Sequence, residues 1–449
     1  TIVYNNGTFD YSKYTKIQAS GSSTCIENSS FGIMGDTSGK LIGNSATLIS
    51  NESARQKELR GLNLSVTDGG TALEIGNYAL DVYDSYIYIE RSYGVATSHA
   101  SSPLKLNIYN STIHDRNRGN TDKSSVDFYQ YHEESIINSN LSIYNSEIEG
   151  KISTNVPGII DSTTFENLVI GDMSNAAQKS DGKITINNSV STGTISSYKD
   201  DESSLEINDS KCTYLSNYIT TVINSSKLKS VSNSGNGTIE FNGISSIKNS
   251  QGSNAIGLKN TGTAYSIKFN DYFVLESSGN GIKGNATLGN KSIEISDEYP
   301  KIIAKGKAIE GNINYYSGLI TGKIDDSISG FITPREEYDL NITKDADASL
   351  ETVKLNNERK VIKNSDTGEE YRTLKDAFET VPDNEAYNFE LIDNVYTALD
   401  SIVPENKQIN IDTKGYNIES YNKNFFTNLG ILNVNDSTSV STNESKILG

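Results

Sequence analysis

Acid–base chemistry would fall here to short carboxylate runs and three histidines: Asn120-Thr121-Asp122, Asp200-Asp201, Asp325-Asp326 and Asp345-Ala346-Asp347, with His99, His114 and His132. Two carboxyl groups facing one glycosidic bond can protonate the leaving oxygen and activate water from the far side. Asp122 and Asp200 stand further apart in sequence than a neighbouring coil would allow, and every histidine precedes Asp200. No arginine lies between Arg118 and Arg335, so most of the chain lacks the base that a lyase needs. Asp325-Asp326 and Asp345-Ala346-Asp347 carry the hard oxygen donors calcium takes, but they match no calcium loop and read as solvated acidic turns. His114-Asp115-Arg116 and Tyr131-His132-Glu133-Glu134 read as surface loops, because neighbours on a strand point to opposite faces and do not converge on one ligand. Cys25 and Cys212, widely separated in sequence, read as two buried thiols. No catalytic, cofactor-binding or metal-ligating residue is expected, and the chain is expected not to be an enzyme.

The element that must position these residues is a repeat. Leu106-Asn-Ile108-Tyr-Asn110-Ser111-Thr-Ile113 recurs as Leu141-Ser-Ile143-Tyr-Asn145-Ser146-Glu-Ile148 and as Leu80-Asp-Val82-Tyr-Asp84-Ser85-Tyr-Ile87. Further copies start at Ile184, Leu205 and Thr221, and weaker ones at Ile239, Ile267 and Ile293. Alternating apolar positions make a short strand with one buried face. The Asn/Asp-Ser pair then bends the chain, since short polar side chains bond nearby backbone and tolerate left-handed conformations. The first six copies, from Leu80 to Thr221, are unevenly spaced. That scatter suits a parallel β-helix, whose corners release loops of any length and whose turns bury one another. The expected fold is all-β, a right-handed parallel β-helix. The copies should share one parallel sheet with a rise of about 4.8 Å per turn. Ile108, Ile143, Ile186 and Ile207 should form one buried column, with Cys212 facing inward.

Tyr83, Tyr109 and Tyr144 occupy one repeat position and should point outward as a ladder. Such a ladder either stiffens the fibre or offers aromatic surface to sugar rings, which makes it the candidate glycan contact. Asp84, Asn110, Asn145, Asn188 and Asp209 should stack at the corner.

Composition agrees with thin cores: 35% of the 449 residues are hydrophobic, with no tryptophan but 26 tyrosines. A net charge of -18 argues against nucleic acid and anionic membranes as partners. No run of 18 apolar residues exists, so no direct membrane insertion is expected. The first residues lack the pattern of a signal peptide, and the chain reads as a piece of something longer.

Residues 1–332 are expected to form the β-helix. Residues 333–405, with 18 acidic and 8 basic residues, are expected to be a small acidic α+β connecting module. Within it Leu374, Ala377, Phe378 and Val381 share one helical face over about 373–381, with Thr373 as N-cap and Pro382 as stop. Residues 406–449 begin a further β-solenoid or capping unit, and Leu432-Asn-Val434-Asn-Asp436-Ser437 repeats the solenoid pattern.

Glu370-Tyr-Arg-Thr-Leu-Lys-Asp-Ala-Phe378, Phe389-Glu-Leu-Ile-Asp393, Ile409-Asn-Ile-Asp-Thr-Lys-Gly-Tyr-Asn-Ile418 and Asn428-Leu-Gly-Ile-Leu-Asn-Val-Asn-Asp436 resemble the module that opens β-helix repeats in large cell-wall-anchored surface proteins of Gram-positive bacteria. Thr413 stands where that pattern usually has leucine. The resemblance runs from Glu370 to Asp436, a small part of the chain. It implies an extracellular stalk or adhesin unit, with surface glycans or proteins and adjacent copies of the same unit as partners. Two other readings compete. A polygalacturonase-like enzyme would need a Gly-His-Gly, which is absent. A tailspike-like receptor-binding protein would need an apolar outer face along its coils.

Overall fold

The structure, a computed structural model, describes residues 3–5, 8–12, 16–28, 32–36, 39–51, 56–76, 78–97, 102–117, 123–130, 133–171, 182–198, 203–234, 237–250, 253–258, 267–292, 296, 298–335, 338–356, 358–398, 401–420, 426–438 and 447–448. It is 60% strand and 3% helix, a β-solenoid of parallel strands with about 16 turns in all. Two compact units, Thr1–Ile239 and Glu240–Gly449, divide the chain.

In the first unit each repeat copy is a strand, a bend and a second strand. Leu104–Tyr109 pairs in parallel with Tyr78–Tyr83 on one side and Asn140–Tyr144 on the other, so that Ile108 lies opposite both Val82 and Ile143. The sheet continues through Gly158–Asp161, Lys183–Asn187, Ser204–Asn208 and Thr220–Asn224. The copies from 80 to 221 therefore share one parallel sheet, as the repeat predicts. Val82, Ile108, Ile143, Ile160, Ile186, Ile207 and Ile223 form its buried column. Cys25 and Cys212 are buried and unpaired.

The long gap between the copies at Leu141 and Ile184 hides a turn. Gly158-Ile159-Ile160-Asp161-Ser162-Thr163 is a copy with glycine at its first apolar position and threonine for serine, so the pattern search passes over it. Its Thr163 follows Ser146 by 17 residues and precedes Ser189 by 26. The stack also extends below residue 80, where Thr8–Asp10, Gly32–Met34 and Lys57–Arg60 add parallel strands.

Two local expectations need correction. His114 and Asp115 are not in a loop: they end the strand Thr112–Asp115, with Asp115 buried and His114 facing out. Their apolar neighbour Ile113 continues the inward alternation, which holds them on the strand. Glu133–Asn138 is a helix rather than a surface loop, and its buried Ile136 anchors it. Tyr131, His132, His99, Asn120–Asp122, Asp200–Asp201, Ile293–Ile295 and Asp297 lie outside the described residues.

In the second unit, Ile267–Phe269, Ala286–Leu288, Ile313–Tyr315 and Ile332–Pro334 continue the parallel pattern. Antiparallel pairing then begins, with Leu350–Asn356 lying between Leu319–Lys323 and Asp339–Asp345. The helix Leu374–Glu379 follows, and the hydroxyl of Thr373 accepts the Asp376 N–H at 2.9 Å. Leu374, Ala377 and Phe378 pack against Phe389, Ile409 and Ile411. Parallel pairing returns through Ala386–Leu391, Gln408–Asp412 and Ile431–Asn435.

Candidate functional site

The in-register pairing of Tyr78–Tyr83, Leu104–Tyr109 and Asn140–Tyr144 decides where the three tyrosines go. Strands spaced by roughly 4.8 Å place like side chains at the stacking distance of rings. Tyr83 and Tyr109 stack with centroids 4.8 Å apart and planes 8° apart. Tyr109 and Tyr144 stack at 5.3 Å and 7°. One strand earlier, the Arg60 guanidinium carbon lies 3.8 Å from the Tyr83 centroid, and its Nη2 pairs with Glu58 at 2.7 Å. A guanidinium over a ring face is an attractive cation–π contact.

The outward position beyond Tyr144 changes chemistry. Asp161 comes next, then Asn187, Asn208 and Asn224. Asn208 donates to the Asn187 side-chain oxygen at 2.9 Å, and Asn224 to that of Asn208 at 2.8 Å. Beside the tyrosines, Asp81 accepts from Asn107 at 2.7 Å. Burial raises the Tyr83 phenol above its ordinary pKa, the nearby Asp81 and Glu58 carboxylates push the same way, and Arg60 opposes them. Burial also raises Tyr109, with Tyr83, Asp81 and Tyr144 adding to it. These two rings are therefore neutral at physiological pH.

Stacking has a chemical consequence. Both faces of Tyr109 are covered by Tyr83 and Tyr144, and one face of Tyr83 is covered by Arg60. Tyr83 and Tyr109 therefore meet a ligand through hydroxyls and ring edges rather than as flat platforms.

A second outward column lies on the strands after the bend. Ile87, Ile113 and Ile148 are in register, so the residues following them line up as Tyr88, His114 and Glu149. The Tyr88 and His114 rings stack at 5.6 Å, and His114 Nδ1 lies 2.5 Å from Glu149 Oε2. Arg116 pairs with Glu90 at 3.0 Å. The partner of His114 thus comes from the next turn, not from its own run, and offsetting the repeat copies by one residue past the final isoleucine would have found it.

The acidic turns are engaged by lysines: Asp325 with Lys344 at 2.6 Å and Asp326 with Lys307 at 3.1 Å. Asp345 accepts the Ala348 N–H at 3.0 Å.

No protein-family model, curated protein or solved structure matches the chain.

The bends of the first unit carry a ladder of side-chain hydroxyls. In the copies from Leu80 to Thr221 the second bend residue has a hydroxyl that donates to the carbonyl two residues before it, as Ser111 does to Tyr109 at 2.8 Å and Ser189 does to Asn187 at 2.6 Å. The same hydroxyl accepts the backbone N–H of the matching residue one turn earlier. Ser85, Ser111, Ser146, Thr163 and Ser189 donate in this way at 3.0 to 3.3 Å. The sequence pattern assigns that serine only to the bend; its bond to the next turn depends on a neighbour the pattern does not show.

Proposed function

We propose that this chain is a non-enzymatic stalk or adhesin unit of an extracellular bacterial surface protein. The observation that carries this reading is the hydroxyl ladder running from turn to turn of the first unit. A ladder of this kind uses buried polar groups to tie successive coils, which serves a long load-bearing element. The tyrosine and asparagine columns support the same reading, because their polar and aromatic surfaces are spent largely on one another.

Adjacent copies of the same unit are the partners this reading favours, with surface glycans or proteins as further ones. In the second unit Leu429 is 63% exposed and Ile431 54%, at the strand that ends the described parallel stack. Phe426–Asn428 and Ile431–Asn435 are separated by two residues, as are Val3–Asn5 and Thr8–Asp10. That shared phase suits one copy following another. The charge of -18 disfavours nucleic acid and anionic membranes.

The competing reading, a polysaccharide-active β-helix enzyme, is tested directly. The full chain is incubated with acidic and neutral glycans, with and without calcium. The expected result is no reducing sugar and no unsaturated product. Turnover above a heat-killed control would refute the non-enzymatic reading.

A further inference from the structure

Gly289 and Asn290 follow the strand Ala286–Leu288, and Tyr299 and Pro300 precede Lys301–Ala304. Beside them lies a cavity of about 180 Å3, lined chiefly by Asp271, Tyr272, Asn290, Ser296 and Tyr299. The site is firmly built. Ser317 accepts the Ser296 N–H at 2.8 Å, and its hydroxyl lies 3.1 Å from the Tyr299 carbonyl. Gly289, at φ +76, passes so close that a Cβ on it would lie 2.6 Å from that of Ser317.

The walls are aromatic, and they differ from the tyrosine column of the first unit. Tyr272 is 62% exposed. It meets Tyr299 edge to face, with centroids 5.4 Å apart and planes at 66°. In such a pair the partner covers neither face of the ring that gives its edge. The polar lining has unused capacity. Asp271 accepts one bond, from the Gly243 N–H through Oδ2 at 3.0 Å, leaving Oδ1. Asn290 accepts from the Ser292 N–H at 2.9 Å through Oδ1, leaving its amide hydrogens.

We propose that this cavity binds one ring of a neutral sugar. A pyranose packs its C–H face on an aromatic ring while its hydroxyls, each donor and acceptor, meet a carboxylate and an amide. Among the described residues Asp271 is the only charged group in the lining, so an acidic sugar has no cation to meet there. The volume is below the roughly 300 Å3 at which pockets for drug-sized ligands begin, which suits a single ring at a chain end or branch. Two rings set edge to face do not close the aromatic cage that a quaternary ammonium requires. The proposal does not depend on the stalk reading, since the site is the same whatever the rest of the chain does.

The test is saturation-transfer NMR and calorimetry on the full chain. The probes are the methyl glycosides of glucose, galactose, mannose and N-acetylglucosamine, with choline and galacturonate alongside. At least one neutral glycoside should bind with a millimolar dissociation constant, and Tyr272→Ala should weaken it about tenfold. Asn290→Ala, a smaller change at an exposed residue, should weaken it too, and serves if the first variant is destabilised. Lys248→Ala, at an exposed residue outside the lining, should leave binding unchanged. The proposal is overturned if no neutral glycoside binds, if choline or galacturonate binds in preference, or if both cavity variants bind like the parent chain.

Discussion

The backbone N–H of Ser111 donates to Oγ of Ser146 at 3.1 Å, across 35 residues of sequence, while that hydroxyl donates to the carbonyl of Tyr144 at 2.7 Å. One side chain therefore closes its own bend and holds the turn before it. Both serines are buried, so water does not stand in for the bond.

Ser146→Ala should leave the Ser111 N–H buried and unpaired, at about 1–3 kcal/mol. Ser146→Thr should stay close to the parent, because Thr163 already fills the same rung one turn on. Urea unfolding followed by circular dichroism gives the change in stability, and hydrogen exchange at the Ser111 amide reports the bond itself. An alanine variant with an unchanged midpoint and slow exchange at Ser111 would show that the ladder does not hold the turns together.

The corner residue makes a separate prediction. Asn110 has φ +48, and its counterparts Asp84, Asn145, Asn188 and Asp209 lie between +47 and +51. Gly61 takes the same corner one turn before Asp84, at φ +61. Asn110→Gly should thus be nearly neutral, whereas Asn110→Val forces a β-branched residue into the left-handed region and should cost about 1–2 kcal/mol. Equal thermal midpoints for the two variants would contradict this.

The repeat was legible because alternation and bend chemistry coincide in each copy, and both depend only on neighbours in sequence. Leu106, Ile108 and Asn110 each announce their role without help from another turn. What stayed hidden depends on the neighbouring turn. Glu149 meets His114 only because the isoleucines before them are in register. The copy at Gly158 was lost because cross-coil pairing tolerates a glycine where a pattern demands a side chain. The Tyr272–Tyr299 cavity was hidden because its two rings, far apart in sequence, meet only in the fold. The repeat position predicts a tyrosine ladder, but only the stacking geometry shows that the faces of Tyr83 and Tyr109 are taken.

A pH dependence follows from Asp339. Its carboxyl is buried, and burial pushes its pKa from 3.8 up to about 7 despite bonds from Thr397, Ala398 and Leu340. Between pH 3.8 and 7 the unfolded chain releases this proton and the folded chain keeps it. This contribution to stability is therefore fully present below 3.8 and is lost as pH rises to 7. Asp339→Asn removes the titration and can keep the acceptor for the Ala398 N–H, which lies 3.0 Å from Oδ1. Relative to the variant, the parent should lose stability across that window by about 4 kcal/mol at most. Parallel stability curves for the two chains from pH 4 to 8 would remove Asp339 as the cause.

The last prediction concerns joining. Ile431–Asn435 pairs along one edge with Gln408–Asp412, and its other edge meets no strand among the described residues. Ile409 and Ile411 are fully buried, yet their register partners Leu432 and Val434 are not. The chemistry of these positions is the same, so the difference lies in cover: no described strand lies over Leu432 and Val434. The outer amides set the phase for one: Asn410 donates to Asn388 at 2.9 Å over 22 residues, and Asn433 to Asn410 at 2.8 Å over 23. An adjacent copy beginning with a short strand, two residues and a second strand can add the next rung, burying Leu432 and Val434 and satisfying an open edge that otherwise invites non-specific pairing. A protein with two copies in tandem should then show slower hydrogen exchange at Leu432 and Val434 of its first copy than the single chain does, because the Ile431 N–H already bonds the Lys407 carbonyl at 3.0 Å, and solution scattering should give an extended particle. Leu432→Glu in the first copy should return exchange to the single-chain rate, because Leu432 is in register with the buried Ile409 and a carboxylate covered there has no partner. Unchanged exchange in the tandem protein, or scattering from two copies folded back on each other, would defeat the end-to-end join and the stalk reading with it.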